Sequence, residues 1–459
     1  MNRQRRVGLM ILIGVWPCAP AQGEGWPTYR HDHARSGVTS ESVTLPLTEA
    51  WTFASKYPPQ PAWLGPARRD GWHKVDNLKP RVIFDWAFHV VLQDGAVYFG
   101  SSADDKVYCL DAATGRERWA FFTDGPIRLA PTVHDGRVYI GSDDGQVYCL
   151  DANNGKLKWS HHLAPSLRQV AGNGRMMSLW PVRSGVLVDD KTAYCTAGLF
   201  AFEGAFLCAF DAETGKELWK HTLDQLSPQG YLLASPQRLY VPTGRGAPMV
   251  FNRADGKFVH ALSGSGGAFC VLTDNAILSG PGKVGTLDAF TDDGRDPLAT
   301  FRGNQIVVTP RMSYLHTDTE LSALDRVRFF ELNRKRRDLV RENEAAAKQL
   351  KELGAEVKAA DRDALLEKID GLKLEIAQVS AAIPTCIAWE RPCKYPYSLI
   401  LAGDTLLAGG TNEVAALSTR DGRTLWTDAV AGRALDLAVA DGVLIVSTDR
   451  GTLHAFRAN

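Results

Sequence analysis

No two cysteines are adjacent in these 459 residues, and neither a CxxC pair nor a CxxCH haem-attachment motif occurs. Neither sign of charge prevails: 52 Lys and Arg balance 52 Asp and Glu. Without a cationic excess, nucleic acid is not an expected partner. The one conspicuous apolar run, Val7–Trp16, is too short to span a bilayer, so no transmembrane segment is expected. It follows Arg3, Arg5 and Arg6 and precedes the small-residue site Ala19-Pro20-Ala21, which makes residues 1–21 a cleavable secretory signal peptide. The mature chain is therefore expected in the periplasm or outside the cell. Cys18 follows Trp16-Pro17 rather than the small residues that lipidation requires, so an outer-membrane lipoprotein is not expected. Once the leader is removed the cysteines are odd in number and cannot all pair. Cys109 and Cys149 hold one strand position in neighbouring repeats and read as small core residues. Cys386 and Cys393 are the one candidate pair for a local disulfide, with free thiols as the alternative. No local cluster of Asp, Glu or Asn declares a Ca²⁺ site, and His31-Asp32-His33 reads as surface or packing rather than metal ligation.

What the chain does have is repetition. Cys109-Leu-Asp-Ala-Ala-Thr-Gly-Arg-Glu-Arg-Trp119 returns as Cys149-Leu-Asp-Ala-Asn-Asn-Gly-Lys-Leu-Lys-Trp159 and as Ala209-Phe-Asp-Ala-Glu-Thr-Gly-Lys-Glu-Leu-Trp219. Alternating stretches precede each copy, as in Arg137-Val-Tyr-Ile and Gln146-Val-Tyr-Cys-Leu, with the tight-turn signal Asp143-Asp144-Gly145 between them. Four short antiparallel strands ending on a Trp make a propeller blade. The predicted blades are 90–121, 130–161, 186–221, 231–262 and 268–301, a sixth that begins at Gln305 and resumes at Ala388-Trp389, and a seventh over 398–428. The fourth places His260 where Trp is expected, and the fifth is degenerate. The last segment, Leu437–Phe456, lacks a Trp strand, which Leu45–Phe53 supplies from the other end of the chain. The expectation is an all-β, eight-bladed propeller closed by that strand.

The phrase "LDAxTGxxxW" resembles the docking repeat of the PQQ-like eight-bladed propellers, and Trp26-Pro-Thr-Tyr-Arg-His-Asp-His-Ala-Arg-Ser-Gly37 resembles the motif that often opens them. That family includes dehydrogenases that use pyrroloquinoline quinone, the outer-membrane assembly protein BamB, which binds no quinone, and many bacterial envelope proteins. The resemblance implies that Trp51, Trp119, Trp159, Trp219, Trp389 and Trp426 are structural, wedged between blades. The vicinal disulfide and haem module of many of its alcohol-oxidising members are absent. No cofactor is therefore expected, pyrroloquinoline quinone with Ca²⁺ being the alternative.

Three insertions fall on one face of the propeller: 54–89, 162–185 and the lengthened hairpin Leu199–Gly204. Long loops on a rigid scaffold concentrate binding residues. Here they carry Arg68, Trp72, His73, Arg81, Asp85, Trp86, Arg168, Arg175, Trp180 and Arg183, a mixture suited to an anionic or sugar-like ligand or to a protein partner. The other reading is that Arg–Asp pairs tie one insertion to the next. A fourth insertion, 325–384, belongs to the opposite face and divides the propeller into residues 22–324 and 385–459. Leu365, Ile369, Leu372, Ile376, Val379 and Ile383 step at coiled-coil spacing, and Leu332, Leu339, Ala346 and Leu353 repeat every seventh residue. Together they predict an antiparallel helical hairpin with its seam satisfied internally, a projecting arm. Arg334-Lys335-Arg336-Arg337 reads as a solvated face or as a contact for an acidic partner. These features point to a non-catalytic scaffold that recruits an envelope protein. A quinoprotein oxidoreductase and a carbohydrate- or anion-binding module are the alternatives, because function lives in sites grafted onto a fold.

Overall fold

The structure is a computed structural model that describes residues 24–63, 69–70, 74–76, 78, 82–224, 226–244, 246–264, 266–267, 269–281, 285–353 and 359–458. Residues 1–23, which hold the expected leader and Cys18, lie outside them. Six four-stranded antiparallel sheets follow one another along the chain, from Val90–Phe122 to Gln305–Pro392. They are called blades one to six below. A seventh, composite sheet joins Ser398–Ala402, Thr405–Gly409, Thr411–Ser418, Thr424–Ala440, Val443–Thr448 and Thr452–Ala458 in sequence order. Leu47–Ala54 pairs antiparallel with the last of these, placing Trp51 opposite Ala455. The long strand Thr424–Ala440 is mostly exposed or half-buried as far as Arg433. It is continuously buried over Ala434–Ala440, where it passes from one half-sheet to the other. The molecule is a β-propeller.

Burial follows from the stacking of sheets. All five residues of Ala96–Gly100 are buried, whereas the outermost strand of the same blade, Glu117–Phe122, is half-buried or exposed. The period of two in the sequence therefore sorts side chains between two neighbouring blades, not between core and water. Each docking Trp bridges such a boundary. Trp119 of blade one donates its Nε1–H to Ala152 O of blade two at 2.9 Å, and Trp159 of blade two donates to Ala212 O of blade three at 3.1 Å. Trp51, Trp389 and Trp426 donate in the same way to Ala112 O, Thr419 O and Leu47 O, each at 2.9 Å. The ring rests on the turn glycine of the next sheet: a Cβ at Gly155 would sit 2.5 Å from Trp119, and one at Gly256 would sit 2.5 Å from Trp219. Burying such a ring contributes about 2–3 kcal/mol.

Blade five breaks this pattern, for a reason found in blade six. Its outer strand places Ala299 opposite Ala289, where the other blades place Trp or His260. The turn on which a Trp would rest is the one between the last two strands of blade six, and there the helical insertion begins. Helix α1, Arg326–Glu352, is capped by Asp325, whose side chain accepts from Arg328 N. Helix α2, Ala359–Ala382, folds back along it, with Ile369, Leu372 and Val379 buried and Lys368 paired to Glu342 at 2.8 Å. The expected self-contained hairpin needs one correction. The root of α1 lies on blade five: the Phe329 and Phe301 rings are 5.4 Å apart, and Arg337 donates to Leu298 O at 3.3 Å. The arm thus covers the edge that a docking Trp would have covered, and about 20 Å of it extends beyond Arg337 at 1.5 Å per residue.

The opening motif crosses the bore of the propeller. Trp26 exchanges backbone hydrogen bonds with Leu92 of blade one, and Val133 N of blade two donates to Pro27 O. Arg35 Nε donates to Leu232 O beside blade four, while Leu272 N of blade five donates to Ala34 O. Arg30 Nη1 reaches Gln305 of blade six at 3.2 Å and Leu399 O at 3.1 Å, and Val38–Thr39 pairs parallel with Ser398–Ala402. Residues 26–39 are a plug that ties the innermost strands together. His31 is buried within it. Burial lowers the Arg35 pKa to about 10, partly offset by Asp32. All seven described cysteines are free, Cys386 and Cys393 included.

Candidate functional site: an axial cavity on the loop-rich face

The insertions on the loop-rich face are bound to one another by buried ion pairs. Arg128 bridges Asp85 at 2.8 Å and Asp143 at 2.6 Å, and Asp143 also receives Arg183 at 2.8 Å. Asp85, Arg128, Asp143 and Arg183 are all at least nine-tenths buried. Burial alone would raise the Asp143 pKa, but Arg183 and Arg128 more than reverse that, so it lies below the usual carboxylate range. The Arg183 guanidinium lies 5.2 Å from the Trp63 ring, and Trp63 O accepts from Trp86 Nε1 at 2.8 Å. Trp180 is buried and donates to Glu203 O at 2.9 Å; Arg168 pairs with Glu203, and Arg175 with Asp105.

Trp180, Arg183 and Asp85 had two readings, an accessible binding surface or loop packing tied by Arg–Asp pairs. They are buried and pack in the second way, with Arg128 and Asp143 as the links between the insertions. Arg68, Trp72, His73 and Arg81 lie outside the described residues. The most exposed apolar groups on this face, among the described residues, are Leu167, 81% exposed, and Phe202, 99% exposed. Of the expected residues that are described, Trp86 alone lines a concavity at the axis.

That concavity has a volume of about 430 Å³, within the range of small-molecule sites. Its walls are the residues at or just before the innermost strands: His89 of blade one, Phe269 of blade five, Asn304 and Gln305 of blade six, and Pro396, Tyr397, Arg433 and Leu435 of the composite sheet. Ile83, Phe84 and Trp86 come from the first insertion, Asp318 from a hairpin of blade six, and Tyr29 from the plug. The cavity therefore occupies the loop-rich mouth of the bore, with the plug beneath it. Tyr29 stacks on Tyr231, their rings 3.6 Å apart.

Arg433 is the one Lys or Arg among the described wall residues. Its guanidinium lies 5.0 Å from the Trp86 ring centroid and 5.8 Å from that of Tyr397, while its Nε donates to Asp449 at 2.8 Å. The nearby acids already have partners. Asp436 lies 3.0 Å from His89 Nδ1 and accepts from Val90 N, Asp449 holds Arg433, and Asp318 accepts from Asn304 Nδ2 at 2.9 Å. Among the described residues no group of three or more His, Cys, Asp and Glu side chains could hold a metal ion. Arg433, Tyr397, Phe269 and Asn304 were not anticipated from sequence. Their shared signal is positional, at the entrance to an innermost strand.

The sequence profile described as outer membrane protein assembly factor BamB matches residues 48–178, 174–289 and 390–459. Between 289 and 390, the stretch it leaves unmatched, stand part of blade five, blade six and the helical arm. No curated protein sequence matches the chain. Among solved structures, the quinohemoprotein alcohol dehydrogenase of Comamonas testosteroni superposes with TM-score 0.59 at 13% identity, covering 94% of this chain and 80% of the other. The computationally designed protein Ika8 superposes with TM-score 0.55 at 12% identity, over 82% and 98% of the two chains. BamB from Moraxella catarrhalis gives TM-score 0.42 at 14% identity, over 90% and 100%. At these identities the likeness to the dehydrogenase and to Ika8 is one of fold.

Proposed function

The chain belongs to the PQQ-like repeat family represented by the outer membrane protein assembly factor BamB, and from that premise we propose that it is a non-catalytic scaffold of the bacterial envelope. In this reading it is exported by its leader and recruits a protein partner through the helical arm. The composite sheet is two blades, making eight, and Leu47–Ala54 closes the ring. The carrying observation is the arm itself: two packed helices, rooted on blade five and extending away from the ring, on the face opposite the cavity. A projection of this kind presents a large surface at little cost to the ring, as recruitment requires.

The quinoprotein alternative is disfavoured by the cavity wall. Among the described residues its one acid, Asp318, accepts from Asn304, and the acids just behind it, Asp436 and Asp449, accept from Val90 N and Arg433, an arrangement unlike the open oxygen set a quinone-bound Ca²⁺ requires. No redox step is assigned to it.

Photo-crosslinking residues at exposed arm positions, Glu344 and Glu367, and at an outer blade position, Lys216, would test the scaffold reading in envelope preparations. Discrete adducts from the arm positions, and none from Lys216, are expected. Adducts that do not depend on the arm, or dye-linked alcohol oxidation after incubation with the quinone and Ca²⁺, would overturn it.

A further inference from the structure

We propose that Cys195 and Cys208 are a redox pair that closes to a cross-strand disulfide in an oxidising milieu. The inference stands on the register of blade three and depends neither on the arm nor on the axial cavity.

The two cysteines, free in this structure, oppose each other directly. Cys195 of the strand Thr192–Ala197 is the Cα partner of Cys208 in Ala205–Asp211. On the same register Ala212 N donates to Lys191 O, an even number of pairs away, so Cys195 and Cys208 form a hydrogen-bonded pair. Such pairs hold their Cα atoms about 5.5 Å apart, the separation that disulfides favour. Opposed residues of a ladder also project from one side of the sheet, so both thiols enter the same compartment. No other two described cysteines are strand partners. Cys149 packs in the same cluster between blades two and three, but it belongs to the neighbouring sheet. Stacked sheets lie about 10 Å apart, which is beyond the reach of a disulfide.

Burial decides when the bond forms. Both cysteines are fully buried, and desolvation pushes the Cys208 thiol up to about 12 and holds Cys195 well above the ordinary thiol range. The thiolate is the attacking species, so the folded pair exchanges slowly. Oxidation therefore belongs to the stage at which the hairpin 192–211 has formed and blade two does not yet cover it, since a local hairpin forms well before a ring closes. The electron acceptor is an oxidant of the thiol–disulfide exchange class. One cysteine thiolate attacks its disulfide, the second displaces it from the mixed disulfide, and the oxidant leaves as two thiols that carry the two protons. The new bond ties the strands below the hairpin tip, where Glu203 holds Arg168 and Trp180.

The full chain would be refolded in glutathione buffers, one oxidising and one reducing, then denatured in iodoacetamide and digested with trypsin. Both cysteines fall in one tryptic peptide, residues 192–216, and a Glu-specific protease parts them at Glu203. After oxidising refolding that peptide should be unalkylated and lighter by two hydrogens than the reduced form, and cutting at Glu203 should leave its halves joined. Cys149 should be alkylated in both buffers, and in the Cys208→Ala variant so should Cys195. Chain synthesised directly in the two buffers replaces refolded material if refolding fails. Alkylation of both cysteines after oxidation, or a link from either of them to Cys149, would overturn the proposal.

Discussion

Gly155 meets two demands at once. Its φ of +69° lies in the left-handed region, and its missing Cβ is the seat of the Trp119 ring. Gly136 has nearly the same φ, +68°, with open space where a Cβ would point. The pair separates strain from packing. Gly136→Ala should cost about 1 kcal/mol for backbone strain, and Gly155→Ala about 2–3 kcal/mol because the indole must also move. Urea unfolding of the two variants checks this; equal losses would mean the ring contact adds nothing.

Asp143 offers a second test at this scale. Its folded pKa is depressed, so its contribution to stability is present above the unfolded value of about 3.9 and is lost as pH falls through the lower folded value. Stability should accordingly fall with acidification below about pH 4, and Asp143→Asn should flatten that part of the profile. The same variant should be less stable at neutral pH by about 3–5 kcal/mol, because Arg128 and Arg183 remain buried with less to neutralise them. An unchanged acid limb would show that Asp143 is not responsible for it.

Among the elements, the arm and blade five form one cooperative piece. Deleting 326–384 would remove Phe329 from Phe301 and uncover Ala299. Scanning calorimetry should show a loss of about 2–4 kcal/mol on this deletion, whereas excising 342–368 alone should leave the unfolding temperature nearly unchanged. Equal behaviour of the two deletions would show that the root contributes no support. The repeats were legible in the sequence because Trp119, Trp159 and Trp219 recur at the same distance from a turn glycine. The arm was legible because Leu365 to Ile383 steps at helical spacing. Its root was not, since Phe301 and Phe329 meet across an irregular boundary that no period marks. That Arg–Asp pairs could tie the insertions was legible, but the partner of Arg183 was not: Asp143 lies forty residues earlier in what reads as an ordinary turn. The cavity was least legible of all, because each sheet contributes only a few residues to it.

At the scale of the whole molecule, the plug distinguishes this propeller from an open ring. Arg35 alone bonds to Thr28, Tyr29, Asp32 and Leu232, and it is 1% exposed. Arg35→Ala should leave several carbonyl groups without donors in the bore and cost about 3 kcal/mol or more. Hydrogen exchange should then accelerate in the innermost strands of blades four and five before the outer strands respond. A uniform acceleration would show that the plug is not their local tie.

The plug and the strand Leu47–Ala54 also impose an order of events. Val38 pairs with Leu401, and Trp51 with Ala455, across nearly the whole length of the chain. Loops of that size close late and slowly. Residues 26–54 reach the far side of a membrane or leave a ribosome well before their partners exist, so they must wait unpaired while almost all of the remaining chain is made. For that interval the last sheet has an open edge and the bore is unfilled, a period of exposure in which a chaperone or a neighbouring strand could compete for both.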